Sequence, residues 1–305
     1  KDARIKNYNN LNPCGEYMED YHILQGTKNE WINSQFRYHL KSSGIPVESS
    51  KGEAGIGQNE LNIEYSDALD MADKHILYKQ CLKEVAINND ISVTFMCKPY
   101  QDMTGSGCHI HLSLHDCNNG NNVFSGSNNI GRLKGCSDTF EYFLGGWIKY
   151  TKELFPFYAP TVNSYKRFVT ASWAPTKLAW SFDNRTAGFR IVGNGKSLRI
   201  EMRICGSDIN PYLAFAASIA SGMHGIKNKI KCDKPFDGNI YDANELNTVP
   251  STMNESINLF KNSTFANDAF GQDIIEHYAR FYELELNAYN EAVTDWERNR
   301  YFEMI

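Results

Sequence analysis

The chain of 305 residues has no apolar run near the about 20 residues a membrane-spanning helix needs. None of its eight cysteines (14, 81, 97, 108, 117, 136, 205 and 232) falls in a Cys-x-x-Cys pair. In a chain this long, scattered cysteines read as reduced, mostly packed thiols of a cytoplasmic protein. No excess of positive charge is present: 31 Lys and Arg stand against 36 Asp and Glu, a formal charge of −5. That argues against a broad nucleic-acid surface. Within these residues no repeat, linker or long charge run is found. The opening Lys1-Asp2-Ala3-Arg4 lacks an initiator Met and reads as the interior of a longer sequence.

What is present suffices for a packed core: 42% of residues are hydrophobic and 13% aromatic. The length suits one large domain or two small ones. The pattern predicts a helix around Glu30 to Ser42. A second opens with Ser66 as N-cap, buries Ile76, Leu77, Cys81, Leu82, Val85 and Ala86, and ends at Asn88-Asn89-Asp90. Ile91 to Cys97 reads as a strand, Asn118 to Asn129 as a surface loop, and Phe140 to Phe155 as a helix. Ser207 or Asp208 is the expected cap of a helix with Pro211 in its first turn. The last 35 residues read as one long helix ending in the tail Trp296 to Phe302.

Three strand-like segments have polar faces made of His, Glu and Arg. In Gly105 to Leu114, period two puts His109, His111 and Ser113 on one face and Cys108, Ile110, Leu112 and Leu114 on the other. Two imidazoles so placed can share a metal or flank a ligand; they also suit a plain polar sheet face. In Leu198 to Ile204, Arg199, Glu201 and Arg203 share a face. The carboxylate between two guanidiniums stays ionised and can hold a cation, with the arginines free for phosphate or carboxylate oxygens. The alternative is a solvent-facing ion-pair ladder. In Glu53 to Glu64, Gln58, Glu60, Asn62 and Glu64 alternate with Leu61 and Ile63, and Gly55 and Gly57 allow a bend that returns Glu53 towards Glu60. Carboxylates with an imidazole make a hard, oxygen-rich site suited to Mg or Mn. Arg167, Arg185 and Arg190 near turns, with Lys196 and Arg199, add a cationic cluster to an acidic protein. Metal-ligating carboxylates beside such a cluster are what phosphoryl transfer to a carboxylate requires.

Gly57-Gln58-Asn59-Glu60, Lys98-Pro99-Tyr100, Gly105-Ser106-Gly107-Cys108-His109-Ile110-His111, Asn163-Ser164-Tyr165-Lys166-Arg167, Asp183-Asn184-Arg185, Arg199-Ile200-Glu201-Met202-Arg203 and Asn210-Pro211-Tyr212-Leu213 occur in this order. From about residue 20 onward the chain resembles the bacterial-type (type I) glutamine synthetase family. The resemblance implies an α+β catalytic domain over residues 1–305, a curved, mostly antiparallel sheet cradling the active site with helices outside. It implies an ATP-dependent ligase that forms a γ-glutamyl amide from glutamate and ammonia or an amine through γ-glutamyl phosphate. Two or more divalent ions, Mg or Mn, would be held by Glu53 and Glu60 at one site and by His109 and Glu201 at the other. His111, Ser113, Lys196 and Arg199 would face the nucleotide. Arg167, Arg203 and the backbone of Gly105 would face glutamate, and Arg185 and Arg190, with Arg167, would act in catalysis. Tyr241 sits where some relatives are adenylylated, or is an ordinary loop tyrosine. Ring-shaped oligomers, with a dodecamer for the full-length protein, are implied as well.

The sequence departs from the family pattern in three ways. The resemblance implies a small N-terminal β-grasp domain and a first catalytic strand with a Glu-x-Glu pair, neither of which falls within these residues. In the flap Phe168 to Thr176, Trp173 stands where ammonia-using members carry a glutamate, and indole cannot act as a base. The Ser-Trp-Ala-Pro-Thr form resembles the γ-glutamylpolyamine synthetase-like branch, so an amine acceptor is expected ahead of ammonia. Thr104 replaces an asparagine that helps grip the amino end of glutamate. The alternatives are a glutamine synthetase proper, using ammonia, and a non-catalytic scaffold of the same family.

Overall fold

The structure, a computed structural model, describes residues 2–169 and 172–305. The chain divides into two compact units, Lys1–Ser106 and Gly107–Ile305.

In the first unit, the short helix α1 (Asp2–Ile5) is followed by α2 (Ile23–Ser42), the hairpin β1 (Val47–Gly52) and β2 (Asn59–Ile63), and α3 (Ala68–Asn88). The strands β1 and β2 pair antiparallel, with Lys51 opposite Glu60 and Gly52 opposite Asn59. Ile32, Phe36 and Leu40 of α2 and Leu82 and Val85 of α3 share one small core, which Leu61 and Ile63 join. The second helix begins later than expected: Asp67, not Ser66, holds the N-cap position. Ile91 to Cys97 is not a strand, and among the described residues no ladder forms there. Its alternating apolar side chains, Ile91, Val93 and Phe95, still pack on the core, while the Met96 N–H turns to Thr94 Oγ1 at 3.1 Å. An extended segment shows period-two burial whether or not a neighbour pairs with it.

The second unit contains β3 (Ile110–Leu112), the hairpin β4 (Ser125–Ile130) and β5 (Leu133–Cys136), α4 (Asp138–Tyr150), α5 (Val162–Tyr165), β6 (Trp180–Phe182), β7 (Phe189–Val192), β8 (Arg199–Met202), α6 (Pro211–Lys227), α7 (Met253–Lys261), α8 (Thr264–Phe270), α9 (Gln272–Glu291) and α10 (Asp295–Tyr301). One four-stranded sheet runs β3-β8-β7-β6. Its β3–β8 and β7–β8 pairings are antiparallel and its β6–β7 pairing is parallel. On its apolar face Trp147 of α4 meets Phe189 edge-on, with ring centroids 5.4 Å apart, and Phe140 meets Trp180 at 6.4 Å. Leu198, Ile200, Met202 and Ile204, the apolar set of the arginine-bearing segment, are completely buried. This is the expected α+β arrangement, with helices against one face of a mostly antiparallel sheet and polar chemistry on the other.

Local differences have local causes. Asn118 to Asn129 is a loop only in its first part, a turn closed by Asp116 Oδ1 accepting from the Asn118 N–H at 2.8 Å. From Ser125 the chain enters β4, which a two-residue turn through Gly131 (φ 57°) connects to β5. The helix expected to reach Phe155 ends at Tyr150, and Phe155-Pro156-Phe157 forms a 3₁₀ turn. The cap of α6 is Asn210, whose side chain accepts from the Tyr212 N–H at 3.0 Å; Asp208 instead accepts from the Thr161 and Ser164 hydroxyls. The C-terminal stretch is two helices, because Thr294 and Glu297 form a capping box that starts α10 afresh.

Candidate active site

The polar face of the four-stranded sheet is organised around Glu201. Register places His111 of β3 on one side of it and Arg190 of β7 on the other. Glu201 is only 2% exposed. Its Oε1 accepts from Arg203 Nη1 at 2.5 Å and lies 3.2 Å from His109 Nδ1; its Oε2 accepts from Arg190 Nη1 at 2.9 Å. Burial alone would raise this carboxyl, but the hydrogen bond from His109 and the charge of Arg203 outweigh it and hold Glu201 well below the usual carboxylate range.

The histidines answer in the opposite sense. Burial, with Arg203 and Arg167 nearby, pushes His109 down to about 4 against the pull of Glu201. Burial also lowers His111, helped by Arg199. Both rings are therefore neutral near pH 7. With Nδ1 of His109 turned to Glu201, its Nε2 carries the lone pair a metal would use. His111 Nδ1 accepts from Arg199 Nε at 3.1 Å. The Ser113 hydroxyl reaches His115 Nε2 at 3.2 Å, and His115 Nδ1 reaches the Gly120 carbonyl at 3.1 Å. Lys196 is exposed on a 3₁₀ turn whose carbonyls bind Asn122 Nδ2.

The arginines form a connected set. Arg190 also holds Asp183 at 2.5 Å. Arg203 Nε donates to the Arg185 carbonyl at 3.1 Å, so the strand end fixes the turn that carries Arg185. Arg167 is 3% exposed, and it donates to the Ile204 carbonyl at 2.7 Å and to the Arg203 carbonyl at 3.0 Å. A Cβ on Gly107 would lie 2.8 Å from Arg167 Nη2, so only glycine leaves that guanidinium its place. The flap begins beside this clamp. Beyond it, the Val249 N–H donates to the Thr176 carbonyl at 3.0 Å. Between the two anchors Trp173 is 59% exposed with φ of 61°, a strained conformation for a bulky side chain. Thr170 and Ala171 of the flap lie outside the described residues. Tyr241 is in a 3₁₀ turn (Ile240–Asp242) with its hydroxyl buried rather than presented, and burial raises it.

In the first unit, the Glu53 N–H donates to the Gln58 carbonyl at 2.9 Å, and Gly57 (φ 73°) closes the bend. Glu53 does return to Glu60, and the two carboxyls share a hydrogen bond. Burial would raise both; the bonds from Glu60 and Lys51 lower Glu53, and Glu60 stays raised by burial and by Glu53. Lys51 pairs with Glu53 and lies 3.9 Å from Glu60. Gln58 Nε2 donates to the Gly105 carbonyl at 3.2 Å and Ser106 Oγ at 3.0 Å.

Two carboxylates crowded together, and an imidazole against an ionised carboxylate, are donor sets that fit a hard divalent cation. Each pair supplies two donors; among the described residues no group of three or more His, Cys, Asp or Glu comes together. Sequence reasoning assigned no role to Lys51 or Asp183. Lys51 carried a signal, since it stands two residues before Glu53 at the end of a strand that pairs with the one carrying Glu60.

The chain, with helices on the apolar face of a mostly antiparallel sheet and a His–Glu–Arg array on the other, belongs to the glutamine synthetase family. Residues 11–301 match the family's model for the glutamine synthetase catalytic domain. Among curated relatives, a γ-glutamylethanolamide synthetase of Streptomyces coelicolor is 42% identical over 98% of this chain and 63% of its own length. A type-1 glutamine synthetase of Dictyostelium discoideum is 38% identical over 100% of this chain and 58% of its own, and a glutamate–isopropylamine ligase of a Pseudomonas species 37% over 98% and 65%. The chain thus spans just under two thirds of the length of these relatives. A solved GmaS–ADP complex superposes with a TM-score of 0.86 at 29% identity, covering 95% of this chain and 68% of that one. No helix among the described residues is long and apolar enough to cross a membrane.

Proposed function

We propose that this chain is the catalytic domain of an ATP-dependent ligase that joins the γ-carboxyl of glutamate to an organic amine. The observation that carries this reading is the Glu201-centred array: one buried, ionised carboxylate holding Arg190, Arg203 and His109 on a single sheet face. A γ-carboxylate oxygen of glutamate attacks the γ-phosphorus of ATP, the bond to the β-phosphate oxygen breaks, and ADP leaves. The amine nitrogen then attacks the acyl carbon, phosphate departs with the former carboxylate oxygen, and the nitrogen loses a proton.

In this reading Glu53 and Glu60, and His109 and Glu201, hold divalent ions, which when bound would offset the charge of the nucleotide phosphates. Arg190 and Arg185 face the transferred phosphoryl group, and Arg167 and Arg203 orient glutamate together with the Gly105 backbone. Arg167 and Arg203 already donate to carbonyls or to Glu201, so their orientation is fixed before substrate arrives. His111, Ser113, Lys196 and Arg199 line the nucleotide side. Exposed Trp173 supports an alkyl amine over ammonia: an indole offers a face to an alkyl or cationic amine and no base for ammonium. The two amine-ligase relatives support the same choice.

Assembly of the natural protein into rings and a cytoplasmic location belong to the same proposal; the eight free thiols support a reducing compartment. The test is ADP release by the natural full-length protein with glutamate and either ethanolamine, isopropylamine or ammonium. Turnover with an amine is expected; strong turnover with ammonium and none with amines would overturn the amine assignment.

A further inference from the structure

Behind the Glu53–Glu60 hairpin lies a carboxyl group that no part of the proposed reaction uses. Glu19 is completely buried. Its Oε2 accepts from Asn29 Nδ2 at 3.1 Å, while Oε1 is buried without a hydrogen-bond partner. The group lies flat against the backbone of Gly52: a Cβ there would fall 1.9 Å from Glu19 Cδ and 2.1 Å from Oε1. Gly52 is the residue before Glu53, and it pairs with Asn59, the residue before Glu60. The next residue, Asp20, donates its N–H to the Glu53 carbonyl at 3.1 Å.

The partner of this carboxyl, Asn29, belongs to a polar stripe on the buried face of α2. Gln25, Asn29 and Asn33 recur four residues apart, each at most 5% exposed, where leucines would pack with less difficulty. Asn33 Nδ2 donates to Asn59 Oδ1 at 3.0 Å. The stripe thus reaches β2 directly through Asn33 and the Gly52 end of β1 through Glu19, beside the residues that carry the two carboxylates.

We infer that Glu19 is a positioning residue for the divalent-ion site, holding the Gly52–Glu53 backbone so that Glu53 and Glu60 converge. The inference rests on the proposed reading that these two carboxylates bind a divalent ion. Glu19 acts by shape and hydrogen bonding, not by charge. Burial raises its carboxyl against the opposing hydrogen bond from Asn29.

The experiment is Mn²⁺ titration, by calorimetry, of the natural full-length protein and three variants, with thermal melts alongside. Glu19→Ala should weaken Mn²⁺ binding about tenfold, the usual size of an effect transmitted through a ligand's support. Glu19→Gln, which keeps the shape without the charge, should restore affinity to within about twofold of the parent. A folded Glu19→Ala protein with unchanged Mn²⁺ affinity, its melting temperature alone reduced, overturns the inference. A Gln variant as weak as the Ala variant overturns it too. If Glu19→Ala does not fold, Asn29→Ala takes its place: weaker Mn²⁺ binding supports the inference and unchanged binding overturns it. Glu60→Gln separates the two layers. If it leaves Mn²⁺ binding intact, the metal assignment itself fails and the inference with it; if it abolishes binding while Glu19→Ala does nothing, only the role of Glu19 fails.

Discussion

Arg190 and Glu201 face each other across the β7–β8 ladder, with Nη1 2.9 Å from Oε2 in a carboxylate that is almost wholly buried. The same carboxylate holds Arg203 through its other oxygen. Glu201 is therefore both a candidate metal ligand and the counter-charge that keeps two arginines in place.

Glu201→Ala should cost more than metal affinity. Removing one partner of a buried ion pair leaves the other uncompensated, which costs about 3–5 kcal/mol. The lower end is expected, because Arg190 keeps Asp183 as a second partner. A polar face that served ligands alone would leave the fold nearly unchanged by the same substitution. Chemical denaturation of parent and variant measures the difference.

The pH dependence of stability follows from the same cluster. Glu201 is lowered in the folded protein, so its contribution is present above its unfolded value of 4.5 and is lost as pH falls from there towards the folded value. His109 falls from 6.5 to about 4, so the unfolded chain binds its proton first as pH drops. Stability should thus decline between pH 6.5 and 4, and His109→Asn should flatten that slope. Melting temperature against pH, in chelator, reads both effects.

Glu53 and Glu60 are two carboxyls forced together, with Lys51 as their nearby cation. Glu60→Gln removes the repulsion while keeping the shape. Its metal-free form should melt at a temperature equal to or above the parent's, and its Mn²⁺ affinity should fall at least about tenfold. Melts with and without Mn²⁺ show both.

Arg185→Ala should lower kcat more than it raises KM for ATP, because a charge aimed at the transferred phosphoryl group acts chiefly in the transition state. Steady-state kinetics at saturating glutamate and amine separate the two. Trp173→Glu should lower kcat/KM for an amine and raise turnover with ammonium, since it supplies the base that indole lacks. A side-by-side acceptor assay reads the exchange.

Much of this site was legible because strand alternation needs no knowledge of partners. His109, His111, Glu201 and Arg203 fall on one face by period two, and Leu198 to Ile204 shows the opposite, apolar face fully buried. The depth of Glu201 was not legible, since it depends on Arg190 from a strand that only folding brings alongside. The cap of α6 was legible in principle: with Pro211 at the first helical position, the preceding Asn210 must be the cap, whatever Ser207 and Asp208 offer. The same holds for Thr294-Asp295-Trp296-Glu297, whose capping-box spacing marks the break that divides the C-terminal stretch. Ile91 to Cys97 shows the limit from the other side, because burial alternation alone cannot report a ladder. Glu19 lay beyond sequence reasoning entirely: nothing near it in the chain announces that Gly52 will press against its carboxyl.

The most direct measurement follows one oxygen. Glutamate labelled with ¹⁸O in its γ-carboxyl is supplied with ATP and ethanolamine or isopropylamine to the natural full-length protein, and the released phosphate is analysed by mass. If the γ-carboxylate is phosphorylated and the amine then displaces the phosphate, one labelled oxygen appears in each phosphate formed. ADP release with unlabelled phosphate, or phosphate labelled only when ammonium replaces the amine, would contradict the account.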